Sequence, residues 1–264
     1  APLNRSKVYL SIGVVESGDA PVYWQDPQWQ GWNDTMRGRL PISWGMGKAV
    51  FEISPAIALY FIEQATGNDY IYGAISGLAY VHPYRSLMGS LPDFLPAWDA
   101  YWHRAACYLK QLGSTATGVY TDAWKPFDRT VQDPITRSIV KACGAQCRTL
   151  VLGMGRDAGR TIANGNYYVE GAQISHVLTR WPKNFSTTTT EFNVDWLRRD
   201  IESQLEVPRG ATQGAPGFLQ AMALSWAYGP SDMAEVVNNL PEYVQVVSME
   251  RFAQLSLGAR GGRR

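Results

Sequence analysis

Strand-like and helix-like segments alternate along nearly the whole of this chain, and that alternation restricts its fold more than any other feature. Residues 7–15, 40–44, 70–75, 117–121, 148–154, 167–169, 218–226 and 243–247 are short, apolar and rich in β-branched or aromatic side chains. Between most of them lie longer segments with helical spacing of apolar residues, at 55–66, 95–112, 134–142, 195–205 and 231–240, and a last one at 249–257. A strand that returns to its neighbour through a helix must pair with it in parallel, by a right-handed crossover. About eight such units predict an α/β protein: a (β/α)8 TIM-barrel-like single domain, or an irregular or seven-stranded form of it. The barrel domain is expected over residues 1–258, with a short basic tail at 259–264. No GxGxxG turn follows the first strand, so a dinucleotide fold is not favoured.

Punctuation residues agree with this reading. Ser54 and Pro55 are suited to open a helix, and Gly113 to close the one at 95–112. Residues 23–39 read instead as a long polar loop holding Trp24, Trp29, Trp32 and Asp34. Loops of that length in compact domains are usually functional or mobile.

Balanced charge, a net +1, argues against a broad nucleic-acid surface. No stretch approaches the roughly 20 apolar residues that span a bilayer. A basic start and apolar h-region are also not seen, and the chain is expected to be the mature form of a secreted or periplasmic protein. Of the three cysteines, Cys143 and Cys147 read either as a small disulfide that leaves Cys107 over, or as two buried free thiols. His82, His103 and His176 do not stand at ligand spacing from them, so no metal and no cofactor is expected. Ten tryptophans are many for a core of this size, and an indole in a cleft offers a flat apolar face to a sugar ring.

In a barrel all strand C-termini open on one face, where active sites are built. Asp19, Tyr80, His82, Asp122, Glu170 and Trp226 all follow predicted strands closely. Cleavage of a glycosidic bond needs one carboxyl to protonate the leaving oxygen and one carboxylate to act as nucleophile or base. Asp122, after the fourth strand, and Glu170, after the sixth, are the expected pair, with Asp19 as third candidate. Tyr80, His82, Trp24, Trp44, Trp124 and Trp226 are the expected substrate-binding residues. A lone carboxylate at a strand end more often caps a helix or pairs with a cation, but capping does not require three of them to converge.

Gly77-Leu78-Ala79-Tyr80-Val81-His82-Pro83 resembles the signature of the GxGYxYP glycoside hydrolase family, with Ala79 for its second glycine and His82 for its second tyrosine. Further pieces follow in the family's order. Glu16-Ser17-Gly18-Asp19-Ala20 is similar to its acidic Ser-Asp-Gly-Asp-Asn element, and Arg37-Gly38-Arg39-Leu40-Pro41-Ile42-Ser43-Trp44 to its Arg-Gly-x-x-Pro-x-x-Trp strand. Ser54-Pro55-Ala56, Asn68-Asp69-Tyr70, Pro216-Gly217-Phe218 and Ser225-Trp226 complete the set. The resemblance implies the barrel-type C-terminal domain of that family, an oligo- or polysaccharide substrate, and a role for Asp19 through the Gly18-Asp19 match. The expected function is therefore a carbohydrate-active hydrolase. Ser17, Ala20, Ala79 and His82 depart from the family pattern and favour the alternative, a noncatalytic glycan-binding or extracellular structural protein. Metal-assisted deacetylation using Asp19 and histidines is a third option. Oligomeric state is left open.

Overall fold

β1 (Val8–Val15) is apolar on both faces, as a strand covered on both sides must be. Val8, Leu10, Ile12 and Val14 point into one buried cluster, whereas Tyr9 points into another. The computed structural model describes residues 2–15, 22–79, 81, 93–119, 129–144, 147–152, 166–176, 194–210, 217–225 and 227–261.

Within these residues β1 is followed by two short helices, α1 (Val22–Gln25) and α2 (Pro27–Trp32), and then by β2 (Ile42–Met46). Next come α3 (Lys48–Ile53), α4 (Pro55–Glu63), β3 (Asp69–Gly73), α5 (Leu95–Leu112) and β4 (Ala116–Val119). The second half runs α6 (Arg129–Cys143), β5 (Thr149–Leu152), β6 (Asn166–Val169), β7 (Ala172–His176), α7 (Val194–Gly210) and β8 (Gly217–Leu224). It closes with α8 (Pro230–Asn238), β9 (Val244–Val247) and α9 (Met249–Gly261). Gly113, in the left-handed region at φ 69°, ends α5 as expected.

The nine strands among the described residues form one sheet in the order β6-β7-β5-β4-β3-β2-β1-β8, with β9 also on β1. Every ladder is parallel except β6–β7. β7 and β8, far apart in this order, come within 8 Å at Cα positions, so the sheet is curled. No ladder joins them among the described residues, and the protein is a mixed α/β domain with a barrel-like, unclosed sheet. Two local features separate it from the eight-fold barrel of the sequence reading. The sixth strand does not return through a helix but doubles back as a hairpin, and the expected eighth strand, β9, pairs only with the first half of β1, from Val8 to Ser11.

On the outer face α7, α8 and α4 pack Leu197, Ile201, Met233, Ala58 and Phe61 against β1, β2 and β8. There α5 and α6 cover β4, β5 and β7 with Trp98, Trp102, Leu109, Ile135 and Ile139. On the inner face α9 fills the curl: Met249 N–H donates to Ser43 Oγ at 2.9 Å, and Phe252 stands edge-on to Phe218. Burying large side chains such as these stabilises by roughly 1.5–3 kcal/mol each.

The tryptophan-rich segment is not a loop. Trp24, Gln28 and Trp32 recur at helical spacing and are all buried. Trp24 and Trp32 both stand edge-on to Phe61 of α4. Its end is tied to α8 by Asp34, whose carboxylate accepts hydrogen bonds from Ser231 Oγ (2.6 Å), Ser231 N–H (3.0 Å) and Met36 N–H (2.8 Å). Partial burial alone would raise the pKa of Asp34, but these hydrogen bonds outweigh it and hold the carboxyl below its ordinary range.

Candidate functional site

Because β1, β2, β3, β4, β5, β7 and β8 run in parallel, their last residues, Val15, Met46, Gly73, Val119, Leu152, His176 and Leu224, share one edge of the sheet. Asp19, Tyr80, His82, Asp122, Trp124 and Trp226 lie outside the described residues. In sequence they follow the ends of β1, β3, β4 and β8 by two to nine positions.

What the structure does describe at this edge is the turn leading into Tyr80. The peptide between Ala74 and Ile75 is cis, and Ser76 and Gly77 take left-handed conformations at φ 51° and 76°. Ser76 N–H donates to the Gly118 carbonyl beyond β3, at 2.6 Å, and its hydroxyl donates to the Val81 carbonyl at 2.8 Å. Tyr101, on α5, grips the turn from outside. Its hydroxyl donates to the Ser76 carbonyl (2.6 Å) and accepts from Leu78 N–H (3.2 Å) and Ala79 N–H (3.0 Å). Stacking on Trp98, with ring planes 6° apart, fixes the Tyr101 ring itself. The sequence reading missed Tyr101; its nearest signal is the aromatic run Trp98, Tyr101, Trp102 at helical spacing.

Burial pushes the Tyr101 phenol up to about 12, although the Ala79 and Leu78 amides pull it the other way. A phenol with a raised folded pKa stabilises the protein fully below the unfolded value near 10, and that contribution is lost as pH rises towards about 12. Burial shifts Tyr108 and Tyr228 in the same direction. Urea midpoints measured from pH 8 to 12 are therefore expected to fall above pH 10, with Tyr101 accounting for about 2–3 kcal/mol of the loss. Tyr101→Phe is expected to flatten part of that limb, and an unchanged limb would contradict the assignment.

Ser225 follows β8 at the same edge, and its buried hydroxyl has no hydrogen-bond partner. The amide of Gln28 is likewise buried with neither atom partnered. Unpaired buried polar groups cost about 1–3 kcal/mol, and a ligand hydroxyl or water would relieve that cost.

Three expected site residues are not where the barrel reading put them. Glu170 is at the tip of the β6–β7 hairpin, before β7 begins, and so at the opposite edge of the sheet from the strand ends named above. With Gly171 it makes a two-residue turn in which both φ angles are positive, 45° and 91°. Its carboxylate faces Arg137, Oε1 to Nε 3.3 Å, in a half-exposed pair of small energetic weight. Glu170 is thus a turn residue at the edge of the sheet opposite the end of β4, the strand that Asp122 follows in sequence. Glu170→Asn, which suits this turn better, is expected to raise stability by roughly 0.5–1 kcal/mol in thermal melts. A loss of stability would contradict this placement.

Trp24 and Trp44 are core residues, 0 % and 1 % exposed, and offer no face to a sugar. Trp44 packs edge-on to Trp32 and donates its indole N–H to Asp69 Oδ1 at 2.9 Å. The other Asp69 oxygen accepts from Arg37 Nη1 (2.7 Å), Thr66 N–H (2.9 Å) and Thr66 Oγ1 (2.8 Å). Arg37 also lies over Trp32, 4.3 Å from the ring centroid, and donates Nε–H to the Trp32 carbonyl. Asn68 Nδ2 donates to the Gly38 carbonyl at 2.8 Å. The Arg-Gly-x-x-Pro-x-x-Trp and Asn-Asp-Tyr segments are therefore interlocked as one structural staple, which begins where β2 and β3 begin.

Among the described residues no group of three or more His, Cys, Asp and Glu is placed to hold a metal ion, and no described helix is long and apolar enough to cross a membrane.

Residues 6–256 match the sequence profile of the GxGYxYP putative glycoside hydrolase C-terminal domain. No curated protein matches the chain at the sequence level. The fold is similar to the crystal structure of a putative hydrolase from Bacteroides thetaiotaomicron VPI-5482, at TM-score 0.78 and 14 % identity, over 98 % of this chain and 46 % of that one. The chain thus spans less than half the length of that relative. It is also similar to a putative polysaccharide deacetylase from Mycobacterium smegmatis, at TM-score 0.56 and 11 % identity, over 99 % of this chain and 95 % of that one. Likeness at these identities is a likeness of fold.

Proposed function

Because the chain belongs to the GxGYxYP putative glycoside hydrolase C-terminal domain family, we propose that it is a carbohydrate-active hydrolase that works at the C-terminal edge of its parallel sheet. The observation that carries the reading is the anchored turn at residues 76–79. It opens the family signature, sits at that edge, and is fixed from both β4 and α5. A turn bound this closely suits the precise placement that catalysis needs in the residues that follow it.

Asp19 and Asp122 follow β1 and β4, strands of the same edge, and we assign them the two carboxylate roles, one as general acid and the other as nucleophile or base. Tyr80, His82, Trp124 and Trp226 are the sugar-contacting residues in this reading. The Ser225 hydroxyl, unpartnered beside the end of β8, is suited to a substrate hydroxyl. An oligo- or polysaccharide is the substrate class.

A second reading, removal of acetyl groups from a polysaccharide, draws on His176, the last residue of β7 at the same edge, and on the fold likeness to a polysaccharide deacetylase. One screen separates the two. The purified protein is incubated with a panel of plain and acetylated polysaccharides and aryl glycosides, and reducing ends and free acetate are measured in parallel. New reducing ends support the glycosidase, whereas acetate alone supports the second reading. Glycan binding by a folded protein with neither product would move the function to noncatalytic recognition.

A further inference from the structure

Cys143 and Cys147 bracket the turn from α6 into β5. Cys143 is the last residue of α6, Gly144 turns the chain in the left-handed region at φ 53°, and Cys147 N–H closes the turn on the Gly144 carbonyl at 3.1 Å. Both side chains are buried in the same apolar cluster, among the residues that α5, α6 and β5 pack together. Two buried thiols of one apolar cluster on either side of one closed turn, with no third metal-ligating side chain grouped with them among the described residues, suit a disulfide and not a metal site.

We propose that Cys143 and Cys147 are a cross-linking pair, joined as an intramolecular disulfide when the chain folds in the presence of a disulfide oxidant. The thiolate of one cysteine attacks the oxidant's S–S bond and forms a mixed disulfide, displacing one oxidant thiolate, which takes up the proton the cysteine lost. The second cysteine, deprotonated in turn, attacks the mixed disulfide at the first cysteine's sulfur and displaces the other oxidant thiolate. Two protein thiols are thus oxidised to one disulfide, and one oxidant disulfide is reduced to two thiols.

Burial makes this a structural bond and not a surface switch. Contact with Cys143 and burial both push the Cys147 thiol up, so in the folded, reduced protein little thiolate is available for attack. The exchange therefore belongs to folding, before the cluster closes. Once formed, the bond is shielded from reductants by the same side chains. Cys107 stands apart, exposed on α5, and is the cysteine expected to stay reduced. Closing so short a loop restricts the unfolded chain and is expected to raise the melting temperature by a few degrees.

The test uses the full chain and its Cys107→Ser variant, each unfolded, reduced and refolded either in a glutathione/glutathione disulfide buffer or in reductant alone. Samples are then denatured, alkylated with iodoacetamide and weighed, and the peptide spanning 143–147 is mapped. After oxidative refolding the full chain is expected to take one alkyl group, on Cys107, and the variant none, with the mapped peptide lighter by two hydrogens. The oxidised form is expected to melt a few degrees above the reduced form, and reductant added in denaturant should restore the remaining thiols. Three alkylated cysteines, glutathione left on Cys143 or Cys147, cross-links through Cys107, or an oxidised form that melts no higher than the reduced one would each overturn the proposal.

Discussion

Gly77→Ala is expected to destabilise the protein by about 2–5 kcal/mol and to remove most of the carbohydrate-directed activity proposed for it. Gly77 is the first residue of the signature and sits at φ 76°, where a side chain costs roughly 1–2 kcal/mol. Space is the second obstacle. A Cβ there would come 2.7 Å from the Ala105 methyl and 3.1 Å from the Trp102 ring, both on α5. Neither neighbour can swing away, because Ala105 has no rotamer to change and Trp102 is fully buried against Trp98. Relief must come from moving the turn off α5, which breaks the Tyr101 hydrogen bonds to Leu78 and Ala79 and shifts the residues that follow. Urea unfolding measures the first effect. A variant that unfolds within 1 kcal/mol of wild type would show that the turn is not held as described.

Asp69→Ala is expected to cost about 3–5 kcal/mol. The Asp69 side chain is fully buried and Arg37 is 18 % exposed, and removing the carboxylate leaves the Trp44 indole N–H and the Thr66 amide without their acceptor and the Arg37 guanidinium with only the Trp32 and Gln64 carbonyls. Most of the loss comes from leaving the partly buried Arg37 cation with no carboxylate to offset it. Asp69→Asn keeps the shape and some acceptor capacity and should fall between the two. Because the staple lies at the start of β2 and β3, remote from the candidate site, the loss should appear in unfolding curves and not in the kinetics of the protein that remains folded. A loss below 1 kcal/mol for the alanine variant would contradict the network.

Much of the fold is legible from residues whose local and long-range demands agree. β1, α5 and the two-sided apolar strand β8 satisfy both, and Gly113 marks its helix end because the left-handed turn there has no cheaper occupant. Misreadings arise where tertiary packing decides. Trp24 and Trp32 read as loop residues because they stand among polar neighbours, but Trp24 on α1 and Gln28 and Trp32 on α2 are all buried. The β6–β7 hairpin is hidden in the sequence because Glu170-Gly171 lacks the asparagine or aspartate that usually announces such a turn. That single hairpin carries Glu170 from the expected site to the other edge of the sheet. α6 begins five residues before Pro134, so the proline that suggests a helix start lies inside the helix. For the candidate site, sequence points to the turn after β3 but not to Tyr101, whose importance rests on where a distant helix places one hydroxyl.

Turnover of the best panel substrate by wild type, Asp19→Asn, Asp122→Asn and Glu170→Gln, all confirmed folded, tests the proposed chemistry most directly. Wild type is expected to hydrolyse glycosidic bonds, each aspartate variant to lose about 10²–10⁴-fold in rate, and Glu170→Gln to stay close to wild type. No hydrolysis by the folded wild type, or a collapse of rate in Glu170→Gln with the aspartate variants unaffected, would contradict the assignment of Asp19 and Asp122.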